Sequence, residues 1–80
     1  MGAALVREPV DSSSVASMGY DPTWHMLEIE FKDTGDVYLY FDVPADEYAA
    51  FLQAPSKGTY LNQTFKKKGY RYERVEKAEL

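Results

Sequence analysis

Two stretches with a two-residue period, HMLEIEF (25–31) and DVYLYFDVP (36–44), stand on either side of KDTGD (32–36). Alternation of this kind is the period of a strand with one buried face. Leu27, Ile29 and Phe31 alternate with Met26, Glu28 and Glu30, and Val37, Leu39, Phe41 and Val43 alternate with Tyr38, Tyr40 and Asp42. The connection contains a glycine suited to a left-handed residue. It predicts a hairpin with a three-residue loop, a type I turn over Asp33 and Thr34 with Gly35 in a bulge. That register sets Phe31 opposite Val37, Ile29 opposite Leu39 and Leu27 opposite Phe41. It also sets Glu30 opposite Tyr38 and Glu28 opposite Tyr40, which places both tyrosines on an open face.

Around this hairpin the pattern predicts an α+β fold. SSSVASMGY (12–20) reads as a first strand, with Val15 and Met18 on opposite parities, so burying both requires a bulge. DPT (21–23) is a turn, with Pro22 fixing φ and Asp21 able to accept from the backbone ahead. Pro44 ends the hairpin and starts a helix, with Asp46 and Glu47 in the first turn where acids complement the helix dipole. Ala45, Tyr48, Ala49 and Leu52 form its expected buried stripe, flanked by Phe51. Ala54-Pro55 stops that helix, and Ser56 caps a second one carrying Tyr60, Leu61, Thr64 and Phe65, with Gly69 as its stop. YRYERV (70–75) reads as a short edge strand or an ordered tail. The expectation is a three-stranded antiparallel meander followed by two helices on one face, β-β-β-α-α, with a possible short C-terminal strand. Residues 1–12 are expected to be flexible, 13–75 to form one domain and 76–80 to fray.

Composition removes several function classes. A chain of 80 residues buries only a small core. Without cysteine it has no disulfide and no thiolate metal site, and its single histidine, His25, excludes a His-rich zinc site. No apolar run approaches the roughly 20 residues of a membrane span. MGAALVREPV lacks the apolar length of a signal peptide, and Val6 occupies the position where a myristoylation pattern needs Ser or Thr. A soluble, cytoplasmic chain is expected, with no membrane partner and no cofactor. The net charge of −4 is divided unevenly. Residues 1–56 hold two cations against ten acids, whereas 57–80 hold seven cations against three acids. This division fits a basic arm on an acidic scaffold, or two elements that attract each other within the fold.

The sequence resembles the KTSC domain, a small module named for its place at the C-terminus of some lysyl-tRNA synthetases and also found as stand-alone bacterial proteins. The residues that carry the resemblance are SS at 13–14, GYD at 19–21, LEIEF at 27–31, VYLYFDVP at 37–44 and APSKGTYLNQ at 54–63. Trp24 and the lysine-rich tail depart from the family pattern. The resemblance brings no established activity with it. It implies RNA binding through the synthetase context.

Three groups of residues carry candidate chemistry. Tyr38 and Tyr40 suit a stacking platform for bases; they equally suit an aromatic pair that packs on neighbours such as the C-terminal YRY. With Met18 or Tyr20 and Met26 they would also make an apolar patch for a protein partner or for self-association. Ser56, Lys57, Gly58 and Asn62 combine a hydroxyl, a cation, an unobstructed backbone and a carboxamide at a helix start, which is anion-site chemistry. They equally suit a tight corner between helices, in which Ser56 caps, Gly58 allows close packing and Asn62 bonds a loop. Lys57, Lys66, Lys67, Lys68 and Arg71 are the cations expected to neutralise RNA phosphates, with Tyr38 and Tyr40 supplying the stack. Trp24 and His25, at a strand entrance, suit a lid on the end of the core. Glu28 and Glu30 share a face of an open strand, where nothing would separate their pKa values into an acid and a base. No catalytic constellation is present in the sequence, so a non-enzymatic module is expected.

Overall fold

The computed structural model describes residues 6–75. The fold is α+β, with a five-stranded antiparallel sheet in the sequential order β1-β2-β3-β4-β5. The strands are β1 (Glu8–Pro9), β2 (Val15–Asp21), β3 (Met26–Phe31), β4 (Val37–Tyr40) and β5 (Tyr72–Val75). Helix α1 (Ala45–Gln53) and helix α2 (Lys57–Tyr60) follow β4. Beyond α2 the helical path widens into a π-helical stretch, Leu61–Phe65, and tightens into a 3-10 turn, Lys66–Lys68. Gly69 ends it in the left-handed conformation at φ 73°, as its position after the lysines predicts.

The sheet adds two strands to the expected meander, the short C-terminal strand that the sequence allowed and an unexpected N-terminal one. The YRYERV segment is an edge strand paired with β4, Tyr40 facing Tyr72 and Tyr38 facing Arg74. β1 lies within the stretch 1–12 expected to be flexible, and its two residues pair with Met18 and Ser17. Its brevity and the proline, which has no N–H for a ladder, leave no period to read. The fraying expected of residues 76–80 falls outside the described residues. The bulge required in β2 is present as a register shift between Val15 and Ser17, and both Val15 and Met18 are buried.

The hairpin register differs from the expected one by a single residue. Leu27 pairs with Tyr40, Glu28 with Leu39, Ile29 with Tyr38 and Glu30 with Val37. The cause lies in the loop. Phe31 N–H donates to the Asp36 carbonyl, and the Phe31 carbonyl accepts from Gly35 N–H, so four residues lie between the closing pair. Gly35 is left-handed as predicted, at φ 75°, but as the last of four loop residues rather than the last of three. Side chains alternate strictly along a strand, so a one-residue shift turns every β4 side chain to the other face. Tyr38 and Tyr40 therefore face the helices, and Leu39 faces outward.

The core forms between the inner sheet face and the helical layer. Val15, Met18, Leu27, Ile29, Tyr40 and Val43 pack against Phe51, Leu61 and Phe65. Phe65 is fully buried at the centre, with ring centroids 4.9 Å from Tyr40, 5.3 Å from Phe51 and 5.0 Å from Tyr70. The buried stripe of α1 is Glu47 and Phe51, whereas Leu52 of the expected stripe is exposed.

The corrected faces give a direct test. Tyr40→Ala removes a buried aromatic ring and should cost roughly 3–5 kcal/mol, a large part of the stability of so small a domain. Leu39→Ala, at a half-buried outer position, should cost roughly 1 kcal/mol. Urea unfolding of the two variants should show the tyrosine change as the far more damaging.

Candidate functional site

Three aromatic residues on the inner face of β4 and β5 lie side by side. Tyr72 sits with ring centroids 5.4 Å from both Tyr38 and Tyr40, and Phe31 meets Tyr38 edge-on at 5.4 Å. Helical packing covers the Tyr40 end of this row, where Phe65 closes on it. Toward the β3–β4 loop the row is uncovered and floors a groove of about 520 Å³. One wall is the loop, with Asp33, Thr34 and Asp36; the other is the end of the helical stretch, with Lys66, Gly69 and Tyr70. Tyr38 is half-buried, Tyr40 is 5% exposed and Tyr72 is 55% exposed, so Tyr72 offers the most open ring. Burial, and secondarily the neighbouring Tyr72 and Tyr38, push the Tyr40 hydroxyl up to about 12.

A buried carboxylate fixes the helical wall of the groove. Glu47 on α1 accepts hydrogen bonds from the Tyr60 hydroxyl, from the Tyr70 hydroxyl at 3.1 Å and from Lys68 Nζ, with which it forms an ion pair. Burial alone would raise its pKa. The bonds from Lys68, Tyr60 and Tyr70 and the Lys68 charge outweigh that and hold it below the usual carboxylate value. The same carboxylate, then desolvation, pushes Tyr60 up to about 12, and desolvation, then the carboxylate, does the same for Tyr70.

The site residues expected from the sequence are therefore dispersed. Tyr38, Tyr40 and Lys66 line one groove, and Lys67 is exposed on the turn beside it. Lys68 is engaged by Glu47. Arg71 lies over the Phe41 ring at 4.7 Å, and its carbonyl accepts from Phe41 N–H. Lys57 donates to the carbonyls of Leu52 at 2.8 Å and Ala54 at 3.3 Å, closing the end of α1. Ser56 accepts from Thr59 N–H as a helix cap, and the Asn62 carboxamide donates to the Gly58 carbonyl. Gly58 lies so close to Ser14 that a Cβ there would come within 2.7 Å of its Oγ. Ser56, Lys57, Gly58 and Asn62 thus make the contacts of a tight corner between the helices.

The apolar association patch also changes character. Met18 and Tyr40 are core residues, and Tyr20 stacks on Tyr48 at 4.8 Å while its hydroxyl donates to the Val43 carbonyl. The helical layer covers the Tyr40 end of that face and leaves the Tyr38 end open at the groove. Trp24 is 70% exposed and lids nothing, and His25 has φ 55° with its carbonyl accepting from Val43 N–H. Glu28 is not on an open strand: Arg7 donates to it at 2.8 Å and to Ser17 at 2.9 Å, and Ser17 donates to Glu30 at 2.8 Å. The packing of Tyr38 and Tyr40 on the C-terminal YRY is present through Tyr72, whereas Phe65 and the loop acids were not foreseen beside them. The period of YRYERV was the available signal for Tyr72, because strand pairing places it beside both β4 tyrosines.

A model of the KTSC domain matches residues 11–72. The chain belongs to the KTSC domain family. It is 44% identical over 72 residues to an uncharacterised protein of Stutzerimonas stutzeri, covering 90% of this chain and all of that one. It is 37% identical over 65 residues to a lysine–tRNA ligase of Nostoc sp., covering 81% of this chain but 11% of that protein. Among solved structures, a KTSC domain protein from Yersinia pestis superposes with a TM-score of 0.82 at 37% identity, covering 91% of this chain and all of that one. No helix among the described residues is long and apolar enough to cross a membrane. No cluster of three or more His, Cys, Asp or Glu side chains among them is arranged to hold a metal ion.

The Glu47 cluster sets a pH dependence. Its folded pKa lies below the ordinary 4.5, so its contribution is present above that value and is lost as pH falls through the folded pKa. Tyr60 and Tyr70 have folded values of about 12 against an ordinary 10.0; their contribution is full below pH 10 and is lost as pH rises toward 12. Thermal melts across pH should be flat between these limits and fall at both ends. Glu47→Gln should lower stability near neutrality and flatten the acid limb.

Proposed function

We propose that the chain is a non-enzymatic accessory module that binds single-stranded RNA, one base stacking in the aromatic groove with its phosphate against Lys66. The observation that carries this reading is the meeting of the Tyr38–Tyr72 aromatic floor with a basic turn at one groove. Aromatic rings accept any base through its π-face, at roughly 1–3 kcal/mol per stacked base. Lys66 and Lys67 are exposed, so both are free to meet phosphate. Likeness to a segment of a lysine–tRNA ligase supports an RNA context.

The chain carries a net charge of −4, so attraction to RNA has to be local. With Lys57, Lys68 and Arg71 held elsewhere in the fold, two phosphate contacts remain, from Lys66 and Lys67. Two contacts to a single strand give a log–log salt slope of about −1.4.

Fluorescence anisotropy with a labelled pentanucleotide, repeated across potassium chloride concentrations, tests this. Tyr72→Ala should weaken binding roughly tenfold through the lost stack, and the double variant Lys66→Gln/Lys67→Gln should flatten the slope toward zero. Lys57→Gln should bind like the wild type. Binding that survives both groove changes but is lost with Lys57 would place the site at the helix corner instead.

A further inference from the structure

The two walls of the groove carry opposite charge: Asp33 and Asp36 on the β3–β4 loop, Lys66 on the helical side. Asp36 has Arg74 3.8 Å from its carboxylate, and its N–H donates to Thr34 Oγ1. Asp33 has no ion-pair partner among the described residues, and its exposed side chain borders the groove. A ligand matched to all three surfaces is flat on the tyrosine floor, anionic toward Lys66 and rich in N–H donors toward Asp33.

The four RNA bases differ in what they offer a carboxylate. Guanine presents two adjacent donors, N1–H and N2–H, on its Watson–Crick edge, and these suit the two oxygens of a carboxylate. Adenine and cytosine set a lone pair beside their amino group, and uracil flanks its N3–H with two carbonyls. A carboxylate gains one bond from any of these and is repelled by the neighbouring lone pair. The groove volume, about 520 Å³, falls in the range of about 300–1,000 Å³ common for small-ligand sites and suits a single nucleotide.

We propose that the groove selects guanosine, Asp33 accepting from its Watson–Crick edge while Lys66 neutralises its phosphate. This rests on the RNA-binding reading above and adds a base preference to it. Asp33 carries no side-chain hydrogen bond among the described residues, so its substitution leaves the scaffold intact.

The test compares three labelled pentanucleotides, UUGUU, UUIUU and UUUUU, where inosine lacks only the guanine N2 amino group. UUGUU should bind about tenfold more tightly than the other two, the usual order of discrimination for one base. In Asp33→Asn the preference should vanish while UUUUU affinity is retained, with an unchanged melting curve showing that the fold persists. Equal affinity for all three in the wild type, or a preference that survives Asp33→Asn, overturns the guanosine assignment and leaves RNA binding standing. No binding of any of the three at low salt overturns both.

Discussion

A single buried carboxylate joins the helical layer to the end of the chain. Glu47 is 6% exposed, yet three groups distant in sequence converge on it: Tyr60 from α2, Lys68 from the 3-10 turn and Tyr70 from the segment entering β5. A carboxylate taken out of water is costly unless its lone pairs are filled, and here a cation and two hydroxyls fill them. The result fixes more than α1. Phe65 sits between Tyr60 and Lys68 in sequence, so anchoring both ends of the π-helical stretch holds its ring in the core against Tyr40 and Phe51. Lys66, Gly69 and Tyr70, the helical wall of the groove, are held by the same contacts.

The uneven charge of the sequence finds its meaning in such contacts. Of the ion pairs among the described residues, Lys68–Glu47 and Arg74–Asp36 each join the basic C-terminal part to the acidic first part. The basic segment thus serves in part as an internal counterweight, through Lys68 above all. Arg7–Glu28 works within the acidic half, drawing the N-terminal arm over the outer sheet face. Gly19 makes that crossing possible, since a Cβ there would lie 2.5 Å from the Val6 carbonyl oxygen. Among the described residues, Lys66 and Lys67 are the lysines of the basic segment with no partner, and both lie at the groove or its edge.

Most elements were legible in the sequence, β1 excepted, and so was the buried face of β3, whereas the face of β4 was not. The alternation in 25–31 and 36–44 located β3 and β4, and Pro44, Ala54-Pro55, Ser56 and Gly69 marked the helix ends where they stand. The face of β4 depended on one residue of loop length, which KDTGD does not encode unambiguously because a left-handed glycine ends both three- and four-residue loops. Val37-Leu39-Phe41 is the more hydrophobic set, and ordinary preference puts it inside. The fold instead buries Tyr40 against Phe65 and lets Leu39 lie half-buried outside. A similar inversion affects α1, where Glu47 takes an interior position that composition assigns to Leu52, because its partners come from residues 13 to 23 positions away. Long-range polar satisfaction of this kind leaves no local period.

The use of tyrosine in place of leucine or phenylalanine follows from the same geometry. Tyr60 and Tyr70 each bring a ring to the core and a hydroxyl to Glu47, and Tyr20 brings a ring to Tyr48 and a hydroxyl to the Val43 carbonyl. In a small core, each such residue supplies both apolar area and a hydrogen bond that fixes its direction. Tyr72 is different. It pairs with Tyr40 between β4 and β5 and packs at a tilt against both β4 tyrosines, but its ring is more than half exposed and no hydroxyl bond of its own secures it among the described residues. Packing against Tyr38 and Tyr40 explains one face of that ring, and the rest is exposed among the described residues. The exposed face borders a groove where an uncommitted carboxylate and an uncommitted lysine oppose each other, and a planar ligand with a donor edge and an anionic group satisfies all three at once.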